Sequence, residues 1–353
     1  MQAPFPYFGG KRKVASDVWA ALGDVDNFVE PFAGSLAVLL ERPAWHTGTT
    51  ETCNDADQYL ANFWRALALA PDEVAKWADW PCNEADLFAR HLWLVNTGKA
   101  QMQAGMDADP DYYDAKIAGW WLWGICLWIG SGWCSGTGPW TLDAGQLIHL
   151  GNAGQGVKRQ LIHLGDAGKG VNRQLIHLGD AGQGVNRKRI HLGDAGRGDG
   201  VLPVNAALYA YMHQLAARLR GVRVCCGDWQ RVVTNGALAY GATVGVFLDP
   251  PYSDAADRDM TLYAVDSGDV AHAVRAWCLE NGDNPRYRIV LAGYEDEHAA
   301  YMPHTWRMMT YRANKSYGSS NGGGRNAENR HKERLWFSPH CLRPTLSLFE
   351  MEA

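Results

Sequence analysis

The 353-residue chain has eight cysteines but no Cys-x-x-Cys pair. That spacing usually marks a structural zinc site or a dithiol redox centre, so neither is expected. Cys225 and Cys226 are adjacent and would point to opposite faces of a strand. The cysteines are therefore read as buried free thiols. A long apolar run is also missing. The nearest, Trp120 to Ile129, has ten residues, about half of what a membrane span needs. The start, Met1-Gln2-Ala3-Pro4, has no charged stretch followed by an apolar one. No secretory signal is expected there, and the expected location is the cytoplasm. Positive charge is not in excess, since 33 Lys and Arg face 38 Asp and Glu for a net charge of −5. This argues mildly against a polyanion partner for the whole surface. The average hides an asymmetry. From Gly145 to Gly200 there are eight Lys and Arg against four Asp, with four His besides. A basic patch on an acidic body remains compatible with nucleic acid.

Hydrophobic residues make up 47% of the chain, enough for a full core. The organising stretch is Val246-Phe247-Leu248-Asp249-Pro250-Pro251-Tyr252. It reads as a buried strand that runs into a stiff loop, because proline fixes φ and lacks the amide proton a sheet needs. A carboxylate and an aromatic ring are then held at the carboxyl end of a strand, where open α/β sheets place ligands.

The rest of the chain alternates strands and helices around that stretch. Phe5 to Lys11 reads Phe-Pro-Tyr-Phe-Gly-Gly-Lys, a close-approach turn, with a helix predicted from Arg12 to Leu22. Asn27 to Gly34 reads as a first strand and a glycine turn, with a helix predicted over Ser35 to Glu41. A second strand is predicted at Thr50 to Cys53, ending at Asn54-Asp55. An acidic residue about twenty positions past a glycine turn commonly takes ribose hydroxyls. Asp55 also has a plainer role open to it, as cap of a helix from Gln58 to Ala68. Residues 58 to about 130 read as helical, with Trp64, Trp77, Trp80 and Trp93 in the core. A glycine-rich loop then carries Trp133 and Ser135, which suit a partner surface.

A 14-residue repeat follows, with His149, His163, His177 and His191 in register. Each copy joins a short β-prone stretch to a Gly- and Asp-rich turn, so the copies stack or project as hairpins. Beyond it come an amphipathic helix from Val204 to Arg220, a strand at Val222 to Cys226 with Gly227-Asp228-Trp229 at its end, and the strand that leads to Asp249. A helix is predicted at Val270 to Glu280 and strands at Tyr287 to Ala292, Met308 to Arg312 and Arg334 to Phe337. Lys315 to Arg330, rich in Ser, Gly and Asn, reads as a mobile loop near a ligand.

The ordered set of Phe-Pro-Tyr-Phe-Gly-Gly-Lys, Val-Glu-Pro-Phe-Ala-Gly, Asn-Asp, Gly-Asp-Trp and Leu-Asp-Pro-Pro-Tyr resembles the Dam-type, D12 class DNA adenine methyltransferases. The resemblance covers about residues 1–60 and 220–340. It implies an α/β fold: a Rossmann-like S-adenosylmethionine methyltransferase sheet with helices on both faces and an inserted helical, repeat-containing target-recognition region. The expected bounds are 1–60 and 206–353 for the catalytic domain and 61–205 for the insertion, with four repeats at about 146–199.

Residue by residue, the resemblance implies a cofactor site for S-adenosylmethionine. Tyr7 lies beside the cofactor, and Gly9, Gly10 and Lys11 form the first loop, with Lys11 reaching the methionine part. Glu30, Pro31, Phe32, Ala33 and Gly34 shape the second loop, and Asp55 takes the ribose hydroxyls. Asp228 and Trp229 line the cofactor's adenine, while Asp249, Pro250, Pro251 and Tyr252 hold the target base. Leu36 departs from the pattern, since many relatives carry a second glycine there. The implied partner is double-stranded DNA, bound by a monomer or a transient dimer. No metal is expected. Two other readings stay open at this stage: methylation of the cytosine exocyclic amine, and a DNA-binding repeat protein with an inactive core.

Overall fold

The computed structural model describes residues 1–7, 11–48, 50–109, 111–128, 132–135, 140–143, 146–149, 206–251, 270–311 and 333–343. Gly9, Gly10, Tyr252, the repeats beyond His149 and the loop 315–330 lie outside them. In chain order the elements are α1 (Ala15–Leu22), β1 (Asn27–Glu30), β2 (Thr50–Asp55), α2 (Gln58–Leu69), α3 (Pro71–Ala78), α4 (Glu84–Trp93), α5 (Lys99–Ala108), α6 (Ala115–Leu127), β3 (Trp140–Asp143) and β4 (Gln146–His149). There follow α7 (Ala206–Leu219), β5 (Val222–Cys226), β6 (Val244–Leu248), α8 (Val270–Asn281), β7 (Tyr287–Tyr294), α9 (Glu295–His298), β8 (Arg307–Thr310) and β9 (Glu333–Phe337). The described residues of 7–57 and 221–353 form one compact unit, and those of 1–6 and 58–220 another.

The first unit is built on a seven-stranded sheet in the order β5-β2-β1-β6-β7-β9-β8. Strands β5, β2, β1, β6 and β7 run parallel, and β9 is antiparallel to both of its neighbours. Every residue of β1 and of β6 is buried. Central strands of a parallel sheet are covered on both faces, so β6 reads as an apolar run without alternation, while β1 buries Asn27 and Glu30 at its ends. The chain steps outward from β1 to β2 to β5 and then returns to place β6 on the other side of β1. Loops leaving β1 and β6 therefore diverge, which opens a crevice at their carboxyl ends. An apolar core of Val29, Val246, Leu248, Ile289, Leu291 and Trp336, among others, packs around the middle strands. Helix α1 ends at Gly23, whose φ of +65° suits glycine.

Two local expectations are corrected here. The helix predicted over Ser35 to Glu41 does not form; the segment is a run of turns with one 3-10 turn at Leu39–Glu41. Gly34 at φ +46° and Leu36 at φ +53° are both left-handed, and a right-handed helix cannot contain them. The helix predicted from Arg12 begins instead as a 3-10 turn at Lys11–Lys13, with α1 starting at Ala15.

The second unit is helical, with a small antiparallel pair of β3 and β4. The side chains of Asn83 and Asp114 cap α4 and α6, accepting the amides of Asp86 at 2.7 Å and Ile117 at 2.8 Å. A π-turn at Leu94–Gly98 links α4 to α5, and Tyr59 Oη donates to the Leu94 carbonyl at 2.7 Å. The N-terminal segment is part of this unit: Phe5 meets Trp121 at 5.0 Å between ring centres, and Tyr211 Oη donates to the Gln2 carbonyl at 2.6 Å. Helix α7 packs on α2 and α3, burying Leu208, Tyr211, Met212, Leu215 and Leu219. The division between units therefore falls after Arg220 and not at 206.

Two aromatic readings change as well. Trp64 is buried, but Trp80 is 47% exposed and lies over the Arg90 guanidinium, which also faces Trp120 and Trp123. Trp133 turns inward: its Nε1 donates to the Trp121 carbonyl at 3.0 Å and its ring stacks on His91. All eight cysteines are free thiols, five of them buried. Among the described residues, no helix is long and apolar enough to cross a membrane.

Candidate active site

The carboxyl ends of β1, β2 and β5 are stitched together by Asn54 and Asp55. Asn54 Nδ2 donates to the Pro31 carbonyl at 3.1 Å and to the Gly227 carbonyl at 2.9 Å. Its backbone carbonyl accepts the Ala33 amide at 2.8 Å. Asp55 accepts the Gly34 amide at 2.8 Å through Oδ2 and the Asp57 amide at 2.9 Å through Oδ1. Asp55 therefore fixes the glycine turn and the entry to α2 at once. Gly34 is needed at its position for two reasons. Its φ is left-handed, and a Cβ there would lie 2.6 Å from the Tyr7 ring. On the β5 side, Asp228 is exposed and accepts the Gln230 amide at 2.8 Å, capping a short 3-10 turn that begins at Trp229. Trp229 is buried and stacks on Phe32 at 6.0 Å between ring centres.

The end of β6 is held from another direction. Lys11, only 4% exposed, places Nζ 2.9 Å from Asp249 Oδ1. The same nitrogen is 4.0 Å from Glu333 Oε2 at the start of β9. Tyr311 Oη donates a hydrogen bond to that Glu333 oxygen. Pro250 and Pro251 follow Asp249 directly, so the strand stops there and the carboxylate stays at the rim.

These ends enclose a cleft of about 220 Å³. Its lining includes Tyr7, Lys11 and the Glu30 to Gly34 turn on one side and Asp55, Asp228, Trp229, Asp249 and Pro251 on the other. The cleft is acidic. Burial pushes the Glu30 carboxyl well above the usual range, against the opposing Leu39 amide, and the nearby Asp249 charge pushes it further. Burial also raises Asp249, with Lys11 opposing and Glu333 adding to the rise. Asp55 is raised by burial and held back by the amides it accepts. Such a site favours a cationic ligand with apolar faces.

Of the residues singled out from sequence, Pro250 is buried but is not among the residues lining the cleft, and Gly9, Gly10 and Tyr252 lie outside the described residues. Lys11 is engaged with Asp249. Two residues of the site carry no sequence motif of their own. Asn54 was read only as the neighbour of Asp55, yet it ties three loops and keeps Oδ1 buried without a hydrogen-bond partner among the described residues. Glu333 fell one position before the predicted strand. A lone carboxylate heading an apolar strand was the only local signal for it.

A mixed α/β unit with a seven-stranded sheet and an acidic cleft at its switch point is consistent with a methyltransferase fold. Residues 7–84 match the family model for D12 class N6 adenine-specific DNA methyltransferase. The matched segment contains Lys11, the Glu30 to Gly34 turn and Asp55, and over those residues the chain is similar to adenine-specific DNA methyltransferases. No curated protein matches the chain significantly.

Proposed function

We propose that the cleft binds S-adenosylmethionine and that Asp249 directs transfer of its methyl group to the exocyclic amine of adenine in specific duplex DNA sites. The observation that carries this reading is Asp249 itself, a half-buried carboxylate clamped by Lys11 on the rim of a cleft built from the β1, β2 and β5 ends. When bound, S-adenosylmethionine supplies an electrophilic methyl group on a positively charged sulfur. The cleft fits such a group. Glu30, Asp55 and Asp228 provide carboxyl oxygens, Tyr7 and Phe32 provide ring faces, and the buried Asn54 Oδ1 offers an acceptor without a described partner. Asp55 has its oxygens on backbone amides, and each oxygen retains a second lone pair for a ribose hydroxyl.

The adenine amine is a weak nucleophile because its lone pair is delocalised into the ring. Lys11 occupies Asp249 Oδ1, so Oδ2 is the oxygen that accepts a hydrogen bond from the amine. The Pro250 carbonyl is the second acceptor. Both favour a tetrahedral nitrogen and stabilise positive charge as it develops there. The proton that the nitrogen loses passes to Asp249 Oδ2. Two prolines fix these acceptors, so little reorganisation is needed during reaction. Tyr252 stacks on the target base, which must leave the duplex to reach the pocket, at a cost of a few kcal/mol in unstacking. Residues 61–205, with the 14-residue repeats, supply target recognition.

The test uses Asp249→Ala. Loss of N6-methyladenine formation with S-adenosylmethionine binding retained supports the assignment. Full activity in the variant rules it out.

A further inference from the structure

Glu333 lies outside every motif that marks the site, yet it reaches the centre of it. It heads β9, is 7% exposed and pairs in register with Tyr294 of β7. Its Oε2 lies 4.0 Å from Lys11 Nζ and accepts the hydroxyl of Tyr311, the residue that follows β8. Lys11 is thus held between two carboxylates on separate strands, one at the end of β6 and one at the start of β9.

We propose that Glu333 and Tyr311 form a positioning pair that holds Lys11 on Oδ1 of Asp249 and leaves Oδ2 for the substrate amine. This rests on the methyl-transfer reading above. A buried ammonium on a flexible four-carbon stem has three donors and no fixed direction of its own. With a single carboxylate partner it can swing between the two oxygens of that group. A second carboxylate behind it, itself fixed by a tyrosine hydroxyl, restricts the ammonium to one side. The pair also sets the charge around Asp249. Among the described residues, the titratable groups that face Asp249 are Lys11 from the turn before α1, Glu30 at the end of β1 and Glu333 on β9, with Tyr311 behind Glu333. One cation stands among three carboxyls, so removing the Glu333 charge makes the Asp249 carboxylate easier to ionise.

The experiment compares wild type, Glu333→Gln and Tyr311→Phe. It measures kcat/KM on duplex DNA against pH, S-adenosylmethionine affinity by calorimetry, and the Asp249 carboxyl titration by 13C NMR, assigned with Asp249→Asn. Glu333→Gln is expected to lower kcat about tenfold and to move both the acidic limb and the Asp249 titration to lower pH, with cofactor affinity within about twofold. Tyr311→Phe is expected to lower kcat severalfold with cofactor affinity unchanged. It carries the test alone if Glu333→Gln does not fold. A purely structural role would lower thermal stability and leave the Asp249 titration in place. An active wild type with an unmoved Asp249 titration in Glu333→Gln, or with unchanged kcat in Tyr311→Phe, overturns the proposal. A wild type that transfers no methyl group to DNA overturns the underlying reaction instead, and the NMR titration separates the two.

Discussion

The ammonium of Lys11 stands 2.9 Å from Oδ1 of Asp249, although the two residues are separated by most of the chain. This pair gives the Gly-Gly-Lys turn a task the sequence did not suggest, which is to hold the carboxylate at the end of β6. Lys11 is the group that keeps Asp249 from rising further under burial. Lys11→Met is therefore expected to raise the Asp249 pKa, move the acidic limb of kcat/KM to higher pH, and cost about a hundredfold in rate through misplacement. A pH-rate profile checks the direction. It is opposite to the direction expected for Glu333→Gln, so the two variants together distinguish electrostatics from general damage.

Gly34 combines a left-handed φ with the close approach of Tyr7. Gly34→Ala is expected to cost about 1–2 kcal/mol in backbone strain and to push the Tyr7 ring out of place. Chemical denaturation reads the first effect. The second appears as S-adenosylmethionine binding weakened by about tenfold, a shift of about 1.4 kcal/mol.

Leu36 shows two effects in opposition. Its φ of +53° would suit glycine, but its side chain is fully buried. Relief of left-handed strain is worth about 1–2 kcal/mol, whereas emptying a buried leucine site costs about 2–5 kcal/mol. Leu36→Gly is therefore expected to be less stable than wild type by roughly 2 kcal/mol, within a range of about 0–4 kcal/mol. Equal or greater stability in denaturant melts would show that the strain dominates.

Asp24 provides a test of acid stability far from the cleft. It accepts the Thr47 hydroxyl at 2.6 Å and the amides of Thr47 and Gly48, and its pKa falls from 3.8 to about 2, chiefly through the Thr47 hydroxyl bond. A carboxyl lowered in the folded state stabilises it fully above the unfolded value and loses that contribution as pH falls through the folded one. Asp24→Asn should thus be less stable than wild type at pH 7. The gap should close as pH falls from about 4 to about 2. Thermal melts across that range check it.

Strands β5 and β6 are legible from sequence because they are short, β-prone and punctuated. Val244 to Leu248 ends at Pro250, and Val222 to Cys226 ends at Gly227. The Ser35 to Glu41 segment was misread because composition does not reveal a φ, and Leu36 is an unusual occupant of a left-handed position. Asn54 and Glu333 were not legible for a different reason. Their partners, Pro31, Gly227 and Lys11, are distant in sequence, and no periodicity links a strand end to a loop it meets only after folding. Helical spacing alone predicts a core position for Trp80, yet it is 47% exposed and lies over Arg90.

The 14-residue repeats carry a separate expectation, drawn from their basic residues and their position in the chain. Deleting two copies in register is expected to leave S-adenosylmethionine affinity unchanged while weakening DNA binding or relaxing site choice. Calorimetry and sequencing of methylated DNA read the two outcomes. No change in either would show that the repeats do not contribute to recognition.

The central claim is methyl transfer to adenine directed by Asp249, and nucleoside mass spectrometry tests it most directly. Purified protein is incubated with unmethylated duplex DNA and S-adenosylmethionine carrying a labelled methyl group, and the DNA is then digested to nucleosides. Label in N6-methyladenine, absent with Asp249→Ala, is the result expected. Label in N4-methylcytosine, or none from a folded protein that binds the cofactor, would contradict the account.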